Sequence, residues 1–209
     1  IAENLHERGV DVTIVDKSSQ VMAPIDYEMA QIVHAHLRER GVHLLLEENV
    51  SAILDGGKKV RLDSGKELDA DMILLAIGVK PESMIAKAAG LEVGRNGAIK
   101  VNEHMQTSDP SIYAVGDVIE VKDYIHGTDT YIPLAWPANR QGRLVADHIH
   151  GKEAVYNGTL GTSIAKVFDL SVASTGSNEK ILKRQGVPYE VVHVPPNSHA
   201  GYYPGAAQI

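Results

Sequence analysis

The spacing of apolar residues sets out the first elements. Residues 1–8 read as the closing turns of a helix, with Gly9 suited to the position after its C-terminus. Val10, Val12, Thr13, Ile14 and Val15 form a β-branched run that ends at Asp16 and predicts a strand. Asp26 suits an N-cap, and Met29, Ile32, Val33 and Leu37 then recur at helical spacing. Glu28 falls in that helix's first turn, and Arg38 and Arg40 lie near its end before Gly41, as the helix dipole favours. Residues 42–46 predict another strand. Strand following helix twice is the rhythm of a parallel sheet covered by helices.

After residue 50 the rhythm changes. Short runs at 50–54, 59–62 and 66–68 are separated by Asp55-Gly56-Gly57 and Asp63-Ser64-Gly65, turn chemistry for an antiparallel meander. The run 72–76 predicts a strand buried on both faces and ending at Gly78. A short helix is expected over 81–89, closed by Gly90, then a buried strand over 112–115 and a helix over 138–150. From about residue 156 the pattern becomes α+β, with strands expected at 163–168, 171–175 and 189–194 and a helix at 178–184. The expected class is α/β: parts of two nucleotide-binding domains of Rossmann type, then the start of an α+β domain. Both ends read as cut, so the expectation is an internal piece of a longer protein.

Composition narrows the function. The excess of 27 acidic over 20 basic residues, a net charge of −7, argues against nucleic acid as a partner. No apolar run approaches the roughly 20 residues of a membrane span, and residues 1–8 are too polar for a secretory leader. The absence of cysteine excludes disulfide staples and suits a cytoplasmic location. It also requires that any redox thiol come from outside this sequence. The ten histidines do not suggest a metal site, because His34/His36 and His148/His150 are two apart on expected helices and face different ways.

Three places carry candidate chemistry. Asp16, with Lys17 beside it, stands at the carboxyl end of a strand, where an acidic residue accepts hydrogen bonds from a dinucleotide ribose; strands also end in Asp because it suits turns. Ala76, Ile77 and Gly78 end an expected strand where a ligand could approach the backbone, or where glycine simply lets the chain turn. Residues 107–117 join a turn, a short buried strand, Gly116 and the carboxylate of Asp117 at the carboxyl end, the place where open α/β sheets hold ligands.

Thr107-x-x-x-x-Ile112-Tyr113-Ala114-x-Gly116-Asp117 resembles the second flavin-binding motif of the pyridine nucleotide-disulfide oxidoreductases. Leu75-Ala76-Ile77-Gly78-x-x-Pro81 is similar to the junction between that family's NAD and FAD domains, and Ala2-Glu3-Asn4-Leu5 to the helix after its NAD glycine loop. Residues 133–142 resemble the segment that passes under the flavin in the coenzyme A-disulfide reductase and NADH oxidase branch. The resemblance covers essentially the whole chain. It implies an NAD-binding domain over 1–78, the end of an FAD-binding domain over 79–152 and the start of a dimerisation domain over 153–209.

The implied cofactors are FAD and NADH or NADPH, with coenzyme A as substrate or bound ligand. Leu134, Ala135 and Trp136 are implied neighbours of the flavin, although a lone tryptophan is often core. Asn139, Arg140 and His199 are implied on the substrate side, although Arg140 also suits a helix surface. In the branch a loop like residues 198–205 reaches into the partner subunit's site. That implies a homodimer and a role for Tyr202 and Tyr203 at the reacting sulfur of a small-molecule disulfide, against the plainer reading of a dimer contact. The family's redox cysteine and glycine loops are absent from this sequence. The alternatives are an NADH oxidase or peroxidase, a polysulfide reductase with a rhodanese domain, or a non-catalytic nucleotide-binding and dimerisation piece.

Overall fold

In the computed structural model, which describes residues 1–207, the two β-branched runs become β1 (Thr13–Asp16) and β2 (His43–Leu46). They pair in parallel from Thr13↔His43 to Asp16↔Leu46. Helix α1 (Ala2–His6) precedes them, and α2 (Tyr27–Glu39) makes the crossover that a parallel pair requires. Asp26 takes the N-cap position of α2 as expected, and Ala30, Val33, His34 and Leu37 form its buried face. With Val12, Ile25 and Val42 the apolar members of that face make a first core.

The meander is present as β3 (Val50–Leu54), β4 (Lys59–Leu62) and β5 (Glu67–Asp69), antiparallel in that order. Residues 72–76 depart from expectation: they are irregular, and Met72, Leu74 and Leu75 are exposed. An apolar run becomes a strand only when another backbone satisfies its N–H and C=O groups. Among the described residues none pairs with this one.

A second core gathers Ala86 of α3 (Met84–Ala88) with Ile99, Met105, Ile119 and Val121. Val121 opens β6 (Val121–Lys122), which pairs antiparallel with β7 (Asp129–Thr130). Residues 112–115 also fall short of a regular strand. They are held instead by Thr107 N–H to Ile112 C=O at 2.9 Å and Ala114 N–H to Met105 C=O at 3.0 Å, with one bridge between Gln106 and Tyr113. The following helix, α4 (Ala135–Ile149), starts three residues before the expected position. Pro137 is accommodated because the first turn of a helix leaves its N–H groups unused in any case. At the other end of α4, the Tyr113 hydroxyl meets His148 Nδ1 at 2.9 Å, and His148 stacks on His104 at 4.5 Å.

The hairpin of β8 (Ser163–Val167) and β9 (Leu170–Ser174) turns at Phe168, whose ring is buried in the first core. His6 meets that ring edge-on at 5.6 Å, and the Arg40 guanidinium lies 5.5 Å from its centroid. Glu3 accepts the Phe168 N–H at 2.9 Å, and Asp169 pairs with Arg40 at 2.7 Å.

Residues 1–177 form one unit, and those from Asn178 onward form a second. The second unit holds α5 (Glu179–Gln185), capped by Asn178 at its N-terminus and closed by Gly186 in the left-handed conformation. Glu179 accepts from the Tyr189 hydroxyl at 2.6 Å and pairs with Lys183 at 2.9 Å, ties that hold the Lys183 pKa above its usual value. The strand expected over 189–194 is absent: the segment is irregular, and Val191, Val192 and Val194 are exposed. Among the described residues no helix is long and apolar enough to cross a membrane.

Candidate functional site

The segment ending at Gly116 and Asp117 is anchored from both directions. Upstream, Ala114 is bonded to the buried Met105; downstream, Ile119 is buried and the Val118 carbonyl accepts the Ile99 N–H at 2.8 Å. Between these anchors Gly116–Val118 makes a single tight turn, entered from the extended Val115. Gly116 has φ 78°, a conformation that disfavours side chains, and a Cβ there would lie 3.4 Å from the Ala138 Cβ of α4. The positive φ, rather than a lack of room against the helix, is what calls for glycine here.

Two side chains grip this turn. Gly116 N–H donates to Gln141 Oε1 at 2.8 Å, and the Tyr131 hydroxyl donates to the Asp117 carbonyl at 2.8 Å. Partial burial, with the Asp117 charge adding to it, raises the Tyr131 pKa, so its phenol stays a donor at neutral pH. Asp117 is itself exposed, and its carboxylate has no partner among the described residues.

The N-terminus of α4 adjoins the turn through Ala138 and Gln141. Leu134 occupies the N-cap position and makes no side-chain cap. Ala135, Asn139 and Arg140 are exposed. Trp136 is 78% exposed and so is not core, the alternative to its place beside the flavin. The structure thus brings Gly116 and Asp117 together with the segment from Leu134 to Arg140, residues that are distant in sequence.

The other candidates have local surroundings of their own. Asp16 ends β1; its carboxylate accepts the Ser18 N–H at 2.8 Å and its carbonyl the Glu48 N–H at 3.1 Å. It does make the turn that strand-ending aspartates favour, and Lys17 beside it is exposed. Ala76, Ile77 and Gly78 lie in exposed irregular chain rather than at the end of a buried strand. In the second unit Ser198 and Ala207 close the neck of a loop through Ser198 N–H to Ala207 C=O at 2.7 Å and Ala207 N–H to Ser198 Oγ at 3.2 Å. The loop carries Tyr202, 83% exposed, and Tyr203, 58% exposed, with rings 4.8 Å apart. His199 lies 6.2 Å from the Tyr203 ring, and its Nδ1 meets Ser198 Oγ at 3.1 Å. Among the described residues neither tyrosine hydroxyl has a hydrogen-bond partner, and no cluster of three or more His, Cys, Asp or Glu side chains is placed to hold a metal.

Sequence reasoning passed over Tyr131 and Gln141. Nothing local marks Tyr131. Gln141 did leave a trace: Pro137, Gln141 and Val145 follow helical spacing along the inward face of α4, and a polar residue in such a stripe needs a partner.

A family model described as pyridine nucleotide-disulphide oxidoreductase matches residues 1–142. The NAD(P)H sulfur oxidoreductase (CoA-dependent) of Pyrococcus furiosus is 37% identical over 100% of this chain and 48% of its own length. The coenzyme A disulfide reductase of Staphylococcus epidermidis is 35% identical over 100% of this chain and 47% of its own. Among solved structures, reduced CoADR-RHD of Bacillus anthracis superposes with a TM-score of 0.97 at 62% identity, covering 99% of this chain and 37% of that one. The chain spans about half the length of the curated relatives it matches. That family is one of FAD- and NAD(P)H-dependent enzymes, and its nucleotide-binding folds account for the mixed α/β architecture. The chain belongs to the pyridine nucleotide-disulphide oxidoreductase family.

Proposed function

We propose that the whole protein is an NAD(P)H-dependent flavoprotein that reduces coenzyme A disulfide or a related persulfide or polysulfide. The observation that carries this reading is the turn at Gly116 and Asp117, which offers an unpartnered carboxylate beside the N-terminus of α4. A flavin dinucleotide suits that setting. Its sugar-alcohol hydroxyls need acceptors, and a helix N-terminus without a side-chain cap favours negative charge nearby. FAD, when bound, supplies the relay of two electrons from the nicotinamide to the disulfide.

The chain's own residues divide the remaining work. Asp117 and the backbone at Gly116 hold the flavin's sugar alcohol, and Leu134, Ala135 and Trp136 run beneath its ring. Asp16 accepts from the ribose of NADH, with Lys17 at its side, and the backbone over Ala76, Ile77 and Gly78 lets the nicotinamide nucleotide approach. Asn139, Arg140 and His199 face the substrate. The hydroxyls of Tyr202 and Tyr203, presented on a loop tied at its neck, donate to sulfur in the site of a partner subunit within a homodimer. These roles follow the division into residues 1–78, 79–152 and 153–209, and the two separate apolar cores support its first boundary. The acceptor is chosen by likeness to the relatives named for sulfur and coenzyme A disulfide.

The net reaction takes NADH, a proton and one disulfide to NAD⁺ and two thiols. Under argon, the whole protein is expected to release two thiols for each NADH consumed when coenzyme A disulfide is supplied. Changing both Tyr202 and Tyr203 to Phe should slow thiol release about tenfold or more while leaving flavin reduction by NADH at its original rate. NADH consumption that needs oxygen and ignores the disulfide would instead identify an oxidase.

A further inference from the structure

We infer that Tyr131 and Gln141 are positioning residues for the flavin, acting through Asp117 as a two-point brace on the turn that carries it. This rests on the flavin-binding reading of that turn. The brace takes the peptide groups that bracket Gly116 and Asp117 together: Gln141 Oε1 accepts the N–H of Gly116, and the Tyr131 hydroxyl donates to the carbonyl of Asp117. Gln141 is 1% exposed, so its grip is made away from competing water. Tyr131 approaches from the segment between β7 and α4, and Gln141 from the second turn of α4, so the two partners pull from different directions.

The physical case is one of preorganisation. Gly116 has a wide choice of backbone conformations, and a carboxylate carried next to it would sample many directions if the turn were held only at its ends. Fixing the Gly116 N–H and the Asp117 carbonyl restricts the backbone dihedrals of both residues together, and with them the direction of the Asp117 side chain. The protein uses its hydrogen bonds on the backbone and leaves the carboxylate itself unpartnered. A ligand hydroxyl then meets an acceptor that is already oriented, and the ordering cost is not charged to binding.

The test is a double-mutant cycle on the whole protein, stripped of flavin and titrated with FAD. Gln141→Met keeps volume and removes the acceptor; Tyr131→Phe removes the hydroxyl. Each should weaken FAD binding about three- to tenfold, the range of one uncharged hydrogen bond, with NADH affinity unchanged. Gln141→Glu retains an acceptor oxygen and should restore much of the loss. In an Asp117→Ala background the effects of Gln141→Met and Tyr131→Phe on FAD affinity should vanish, because there is no longer a carboxylate to aim. Equal weakening in both backgrounds would reduce the pair to general structural support and overturn the inference. So would wild-type affinity in both Gln141→Met and Tyr131→Phe while Asp117→Ala still loses FAD. If Asp117→Ala binds FAD as the wild type does, the flavin-binding reading fails and the inference falls with it. Tyr131→Phe keeps the test open should Gln141→Met fail to fold.

Discussion

The turn that carries Asp117 is held by neighbours that lie 14 and 24 positions further along the chain, Tyr131 and Gln141. That is why the carboxylate was legible in the sequence and its supports were not. A strand-end Gly-Asp is a local pattern, whereas a hydrogen bond from a distant part of the chain is a tertiary fact. His34 teaches the same lesson. It lies within an amphipathic pattern, yet it is 1% exposed and its Nε2 accepts the Val21 N–H at 3.1 Å. That bond requires a neutral ring with its proton on Nδ1. Burial, reinforced by the Arg38 charge, lowers the pKa from its usual 6.5. A depressed folded-state pKa means that the unfolded chain binds the proton more readily, so this contribution is complete above about 6.5 and is lost as pH falls through the folded value. The urea midpoint should therefore drop between pH 7 and pH 5, and His34→Gln, which retains an acceptor, should flatten the drop. A slope unchanged by that substitution would exclude His34 as its source.

Among the elements, the paired ones were the easiest to anticipate. β1, α2 and β2 follow from periodicity, and the meander follows from its Asp- and Gly-rich turns. The expected strands at 72–76 and 189–194 fail for a common reason: an apolar run reports a tendency to be buried, while strand structure needs a pairing partner; residues 112–115 do find one at 105–107, but only over a single bridge. At 72–76 the apolar side chains remain exposed. The β8–β9 hairpin was expected as two strands, but nothing in its sequence said that its tip docks on α1 and α2. Phe168 carries that docking, through the first core, the rings of His6 and His36 and the guanidinium of Arg40. Phe168→Ala should cost about 3–5 kcal/mol of stability, as loss of a buried aromatic ring does. Urea unfolding measures it. A loss below about 1 kcal/mol would mean that the hairpin tip contributes little to holding that core together.

At the scale of the molecule, the two cores, the turn at Gly116 and Asp117 and the neck-tied tyrosine loop are the parts on which the proposed chemistry rests, and family membership agrees with it. The motifs around residues 75–81, 107–117 and 133–142 made the family legible from the sequence alone. In the proposed function the acceptor is whichever sulfur compound reaches the tyrosines. The most direct test is the visible absorption spectrum of the whole protein under argon, recorded before NADH, after NADH, and after coenzyme A disulfide. The account predicts a flavin band that bleaches with NADH and returns with the disulfide. A colourless protein, or a band that NADH leaves untouched, would contradict it.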